Sequence, residues 1–311
     1  MNALSMTGNP AARGMVVLVA LGFMAFEYGA ARLARHDTHD LRESAASFAV
    51  AVGQALVRLL EAGLLAIPFV FVADHRLFHF DAHTPLAIVT LFFATEFVYY
   101  WHHRLSHRVR WLWATHAVHH SPTKLNFTAA IRLGWTANLS GSFVFFLPLV
   151  WLGFPPTSVV GMLGLNLLYQ FFIHTELVPT LGPLEWIVNT PAQHRVHHAS
   201  NASCIDRNYG GVLSIFDHLF GTFAKAPPDE VLRYGLVGRE PTLNPLQIAL
   251  DGWADMLQDV KRSQSWSQRL RIVCGPPDSA NALVSSTAAS CDSRRAAGAI
   301  LERSHEPDLH A

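Results

Sequence analysis

A chain of 311 residues has room for one large domain or two small ones. Half of its residues are hydrophobic and only 15% are charged, against about 25% in an ordinary soluble domain, so the composition points to a protein embedded in lipid. Its 23 Lys and Arg are balanced by 23 Asp and Glu, which leaves no basic excess for a nucleic-acid partner.

The N-terminal half carries apolar runs at 14–31, 46–73 and 85–101. Each is near the length needed to cross a hydrocarbon core of about 30 Å. The first contains Glu27 and is followed by an Arg-rich stretch with no small-x-small cleavage signal, so it is expected to be a membrane helix and not a signal peptide. Arg58 and Glu61 interrupt the second run and are expected to pair within their own helix. Glu96 lies inside the third, where an ionisable group is costly and is expected to support His103 or a neighbouring helix. A fourth apolar region, 139–173, is broken at Pro148, Pro155 and Pro156. It reads as a hairpin that enters and leaves by the same face, either as two short crossings or as a re-entrant pair.

Lys and Arg counts set the expected orientation. The 32–44 and 102–136 segments hold Arg32, Arg35, Arg42, Arg104, Arg108, Arg110, Lys124 and Arg132, whereas Arg13 and Arg76 serve the opposite side. The positive-inside rule therefore puts 102–136, and everything after it except the hairpin, on the cytoplasmic face. Residues 244–262 have helical apolar spacing and fit a helix lying on the domain or on the membrane. The tail at 276–311 is rich in Ala, Ser and charge without sustained periodicity, and is expected to be disordered.

The three cysteines, Cys204, Cys274 and Cys291, form no CxxC, which argues against a disulfide scaffold, a zinc ribbon or an iron–sulfur cluster. Any metal must then be held by nitrogen and oxygen, and 18 histidines are available. Ten lie between His102 and His198 in the pattern HHxxxH, HxxHH, H, HxxHH. At this histidine content about 0.06 chance occurrences of HxxHH are expected, and two are present, so random clustering is a poor explanation.

On a helix, His103 and His107 share a face, and the i, i+3, i+4 spacing of His116, His119 and His120 puts three rings on one face. His194, His197 and His198 repeat it, and His174 stands where the hairpin returns. Two ions about 3.5–4 Å apart need many ligands from several helices, and this set supplies them. Imidazole suits zinc, copper, iron and nickel alike, so the spacing does not choose the metal. His102 points elsewhere on its helix, and His36, His39, His75, His79, His83, His218, His305 and His310 read as ordinary surface or loop histidines.

Beyond the histidines, five stretches carry a resemblance: YYWHHRLSH at 99–107, THAVHHSPTKLNFTAAIR at 115–132, NLLYQFFIHTE at 166–176, GPLEWIVNTPAQHRVHH at 182–198 and IDRNYGGVLSIFDHLFGTF at 205–223. Together they resemble the membrane fatty acid hydroxylase and sterol desaturase superfamily, including its alkylglycerol monooxygenase-like and bacterial sterol desaturase-like branches. The resemblance implies an all-α integral membrane fold: a transmembrane bundle of three helices plus a hairpin, with a cytosolic helical cap carrying a histidine-rich di-metal site. It divides the chain into N-terminal membrane helices (1–101), a catalytic core (102–225) that includes the 139–173 hairpin, a helical extension (226–275) and the tail.

The same resemblance implies a di-iron centre that activates O2 to attack a C–H bond of a lipid, whether fatty acyl, sterol or ether lipid. Carried over position by position, its ligands are His103, His107, His116, His119, His120, His174, His194, His197 and His198. Two positions depart from the pattern: Gln193 stands where relatives often have a further histidine, and His218 where they often have Lys or Arg. Glu176, Asn189, Asp206, Asn208 and Asp217 are the expected partners of the outer ring nitrogens, and Trp101, Trp111, Trp113 and Trp186 the expected interfacial anchors. The sequence holds no GxGxxG, P-loop or haem motif, so reducing equivalents must come from an external donor, either tetrahydrobiopterin or a cytochrome or ferredoxin. A lipid desaturase built on the same centre is the main alternative, and a metal-transporting or metal-storing membrane protein is the alternative from another class. The expected location is the inner or plasma membrane of a bacterium or the endoplasmic reticulum of a eukaryote.

Overall fold

The computed structural model describes residues 10–277, so most of the 276–311 tail lies outside the described residues. The described part is helical; its only β pairings are two isolated bridges, Val188 with Leu213 and Ala199 with Tyr234. In chain order the α-helices are α1 (Pro10–Leu33), α2 (Leu41–Asp74), α3 (Pro85–Arg108), α4 (Arg110–His120), α5 (Phe127–Ala130), α6 (Leu147–Leu152), α7 (Pro156–Ile173), α8 (Pro191–His198), α9 (Ile215–Leu219), α10 (Pro245–Arg262) and α11 (Trp266–Cys274). Short 3-10 turns cover Ser142–Phe146 and Gly182–Trp186.

The starts of the long helices follow local chemistry. Asp40 caps α2 by accepting from the Arg42 and Glu43 amides, and Thr84 caps α3 ahead of Pro85 at the first helical position. Among the described residues, three stretches are long and apolar enough to cross a membrane: Gly14–Leu33, Leu41–Glu61 and Pro156–Ile173. The 85–101 run is not among them, because its 17 residues include Glu96 and continue directly into the polar, histidine-bearing end of α3.

Helix α2 changes character along its length. Ser44, Ser47, Val50 and Gln54 are buried, whereas Leu56, Leu59, Leu60, Leu64, Ile67, Val70 and Phe71 are exposed. The first half therefore packs against the histidine-bearing part of the chain, and the second presents a continuous apolar belt. Glu61 accepts a hydrogen bond from Asn138 Nδ2 at 2.8 Å, so the carboxylate expected to serve its own helix ties α2 to the segment that leads into the hairpin.

The two arms of the hairpin are unequal. The arm from Ser142 to Leu152 is a 3-10 turn followed by six α-helical residues, which spans roughly 19 Å. That is short of a crossing, whereas α7, with 18 residues, is not. Leu91 and Tyr99 of α3, Phe146, Leu149 and Val150 of the short arm and Val159 of α7 form one buried cluster. It joins the hairpin to α3 directly beneath the first histidine pair.

Candidate metal centre

Nine histidine side chains from α3, α4, α8 and the end of α7 converge in two groups. His103, His107, His116, His120 and His197 offer ring nitrogens that all lie within 4.8 Å of one another, and His119, His174, His194 and His198 do the same. All are buried except His116, which is half-buried. Two nitrogens on opposite sides of one ion, each at roughly 2.1 Å, are about 4.2 Å apart, so each group has the dimensions of a single coordination shell. These are the nine positions singled out in the sequence, but the expected single face is not what forms. Within each HxxHH the i, i+4 pair stays together and the i+3 ring joins the other group.

Hydrogen bonds on the outer nitrogens fix the rings. The Nδ1 atoms of His103, His119, His174 and His197 contact the carbonyl oxygens of Tyr209 (2.9 Å), Arg132 (3.3 Å), Gln170 (2.6 Å) and Arg207 (2.9 Å). A carbonyl only accepts, so each of these Nδ1 atoms carries the hydrogen, and in a neutral ring Nε2 is then a bare lone pair. Yet His119 Nε2 lies 3.1 Å from His174 Nε2, lone pair facing lone pair. His116 Nε2 sits 3.1 Å from His103 Nε2, 3.1 Å from His107 Nε2 and 3.2 Å from His120 Nε2, and one ring nitrogen cannot donate to three neighbours. His197 Nε2 and His198 Nε2 are buried without any partner.

Such an arrangement is costly unless a cation lies among the nitrogens. Protons do not fill that role, because burial holds the His119 ring at about 4 and the His197 ring at about 3, below the ordinary value for histidine. The residues therefore fit a pair of metal ions held by imidazole alone.

The expected outer partners act one step further out. The loop 205–213 presents the Arg207 and Tyr209 carbonyls because Asp206 and Asn208 both adopt left-handed backbone, with φ of 60° and 55°, which Asp and Asn tolerate better than most residues. Asp217 accepts from the Tyr209 and Gly210 amides and from Thr222 Oγ1. Asn189 Nδ2 donates to the Gly210 carbonyl at 2.6 Å, and Asn208 Nδ2 donates to the Gln193 and Ala224 carbonyls. Asp206 alone approaches a ring, with a carboxylate oxygen 4.0 Å from His107 Nδ1, and it also binds Arg108 at 2.5 Å. Glu176 is held by the Leu125 backbone, with Arg195 and Lys124 nearby.

Glu96 serves both histidine groups through the backbone. One carboxylate oxygen accepts from Asn166 Nδ2 of α7 at 2.5 Å, and the other accepts from the Val212 and Leu213 amides at 2.8 and 2.9 Å. Asn166 Oδ1 accepts from Gln170 Nε2, and the Gln170 carbonyl orients His174. On the other side, the anchored 212–213 amides fix the loop whose Tyr209 carbonyl orients His103. A Cβ on Gly211 would come within 2.1 Å of Asn166 Nδ2, so the loop and α7 meet closely only because that position is glycine.

Several side chains differ from their expected roles. Trp113, expected at the lipid interface, packs on His107 and His120 with ring centroids 5.1 and 5.5 Å away. His218 stacks with Trp186 at 4.4 Å and with Phe223 at 3.9 Å, so it is half-buried in an aromatic cluster and not an ordinary surface residue. His39 is also shielded, with its side chain 5% exposed and Nε2 3.6 Å from the Glu27 carboxylate. His102 joins neither group and lies against Phe145 with both ring nitrogens buried and unpartnered. Gln193, in the first turn of α8, accepts from the Thr190 amide and donates to the Glu185 carbonyl. Tyr209, whose ring flanks His103, His107 and His197, has no signal in the histidine spacing; the turn-forming DRNYGG string around it does.

Comparison with known proteins covers the same region of the chain. The fatty acid hydroxylase family model matches residues 88–222. The alkylglycerol monooxygenase of Xenopus tropicalis is 38% identical over 204 residues, 66% of this chain and 45% of that protein. The human alkylglycerol monooxygenase is 43% identical over 175 residues, 56% of this chain and 38% of its own. An ornithine lipid hydroxylase of Rhizobium tropici is 32% identical over 144 residues, 46% of this chain and 44% of its own. The match thus spans less than half the length of each of these relatives. No solved structure matches the chain significantly. The region matched by the fatty acid hydroxylase model, residues 88–222, holds all nine converging histidines.

Proposed function

We propose that this chain is a membrane-embedded, O2-dependent lipid hydroxylase whose nine histidines hold two iron ions, five rings on one and four on the other. The observation that carries the reading is the convergence of bare imidazole lone pairs in two adjoining groups, inside the region that the fatty acid hydroxylase family model matches. Imidazole alone does not select iron; the match to the fatty acid hydroxylase family supports it. When bound, reduced iron supplies the activation of O2 that converts a lipid C–H and two external electrons and protons into C–OH and water.

The chain's own residues supply position and exclusion. The carbonyls of Arg132, Gln170, Arg207 and Tyr209 hold four rings with Nε2 turned inward, the outer-shell arrangement that raises ligand basicity. Trp113 and Tyr209 cover the five-ring group, which limits water access and side reactions. The exposed apolar belts on α2, α3 and α7 suit a substrate that arrives sideways from the bilayer. The Lys and Arg asymmetry supports a site on the cytoplasmic face, with 102–225 as the catalytic core. The reductant is external, a reduced pterin or a cytochrome or ferredoxin.

Hydroxylation is favoured over desaturation because the relatives named above are a monooxygenase and a hydroxylase. A transporter would be expected to place its ligands along several spans, whereas all nine rings lie outside the three candidate spans. The test is mass spectrometry of lipids from membranes with and without the protein, under 18O2. A lipid gaining one labelled oxygen supports the proposal. A lipid losing two hydrogens without label assigns desaturation, and no lipid change under any reductant overturns both.

A further inference from the structure

Helix α10 lies outside the family match and is strongly two-sided. Ile248, Ala249 and Met256 are buried, and Gly252 is packed so closely that a Cβ there would meet the Ala114 carbonyl at 2.8 Å. The flank beside Ile248 holds Asp251 and Asp255, both paired with Arg239. Between these faces runs a third. At 100° per residue, Leu246, Leu250 and Leu257 fall within roughly 40° of one another, and they are 58%, 42% and 50% exposed. Among the described residues nothing buries this stripe.

Trp253, at the edge of the stripe, donates from Nε1 to Thr136 Oγ1 and packs edge-on against Trp111 at 4.7 Å. Trp111 donates to the Ser140 carbonyl at the mouth of the hairpin, beside Leu139, which is 66% exposed. The leucine stripe therefore continues through a tryptophan pair into the exposed apolar surface of the hairpin, while the acidic flank faces away from it. Exposed Lys261 adjoins the same stripe. Leucines flanked by tryptophan and a lysine able to reach outward are the pattern of a helix lying in a membrane interface.

We propose that α10 is an in-plane membrane helix whose Leu246, Leu250 and Leu257 enter the headgroup–acyl boundary of the bilayer that holds the spans. The proposal rests on the membrane-spanning reading. Its consequence for the site is mechanical: α10 braces α4, the helix of His116, His119 and His120, through the Gly252–Ala114 backbone contact, so the lipid surface supports the metal-bearing helix from below.

The test uses the full chain in phospholipid nanodiscs, with Cys204, Cys274 and Cys291 replaced by alanine and one new cysteine carrying a polarity-sensitive fluorophore. At Leu250→Cys the emission is expected to be blue-shifted, quenched by shallow nitroxide lipids and protected from aqueous iodide; at Asp255→Cys all three are reversed. A Leu250 probe open to iodide overturns the proposal, and so does one shielded from both quenchers, since protein would then cover the stripe. Leu64→Cys on the apolar belt of α2 separates the two levels. If it is quenched by lipid and Leu250 is not, only the in-plane helix fails; if neither is, the membrane-spanning reading fails as well.

Discussion

His119 and His120 are neighbours in sequence, yet their inward nitrogens belong to different groups, with ring planes 85° apart and centroids 5.6 Å apart. Adjacent residues on a helix diverge by about 100°, so one helix can feed two ions only if neighbouring rings point to different centres. His197 and His198 do the same on α8. Both HxxHH helices therefore contribute to both groups, while the His103–His107 pair serves one and His174 the other.

This division predicts selective metal loss. His107→Ala should remove the ion of the five-ring group and His174→Ala that of the four-ring group, each leaving the other ion largely in place. His119→Ala and His197→Ala should abolish activity and lower bound iron, whereas His218→Ala should change neither. Iron analysis of the purified variants checks this, and full iron and activity in His119→Ala would sink the ligand assignment.

His102 is the internal control. Its ring nitrogens are buried without partners against Phe145, and a buried unsatisfied polar group costs about 1–3 kcal/mol. His102→Phe should therefore keep full iron content and melt no lower than the parent. Loss of iron in that variant would make His102 a tenth ligand.

Glu96→Gln should be damaging although the change is nearly isosteric. Three donors point at the carboxylate, and an amide must turn its own NH2 toward at least one of them. Leaving such a donor unpaired costs on the order of 1–3 kcal/mol. The expected outcome is a lower melting temperature with loss of iron from both groups, because the same side chain anchors the Tyr209 loop and α7. Unchanged stability would show that Glu96 is not the anchor.

Acid should destabilise the chelator-stripped protein. Burial holds His119 at about 4 and His197 at about 3 in the fold, against an unfolded value of about 6.5. Between these limits the unfolded chain binds more protons, so stability is full above about pH 6.5 and falls as pH drops toward the folded values, by at most about 1.4 kcal/mol per pH unit for each such histidine. Thermal melts of the stripped protein at pH 7 and pH 5 check the sign. A higher melting temperature at pH 5 would contradict it.

The histidine spacing singles out eight of the nine converging positions, because helical periodicity ties i to i+4 regardless of context, and His174 is marked only by its place where the hairpin returns. It does not reveal the division into two groups, since that depends on how α4 and α8 face each other. The outer partners are hidden for a related reason. The sequence offers carboxylates and amides, but four rings bond to backbone carbonyls, and two of these, from Arg207 and Tyr209, are presented by a loop with left-handed turns at Asp206 and Asn208. Glu96 is legible as costly and hence purposeful, although its partners lie 70 and more residues away. Trp113 reads as interfacial because tryptophan beside an apolar run usually is; its packing against His107 is a tertiary fact. The unequal hairpin arms follow from a 3-10 turn that apolar composition does not distinguish from helix.

The most direct measurement is the metal content of the full chain, purified from membranes in mild detergent without added chelator. The nine-histidine centre predicts two iron ions per chain, falling toward one in His174→Ala. A single ion, or a protein that holds no iron when reconstituted with excess ferrous salt, would contradict the reading of the nine histidines as a two-iron centre.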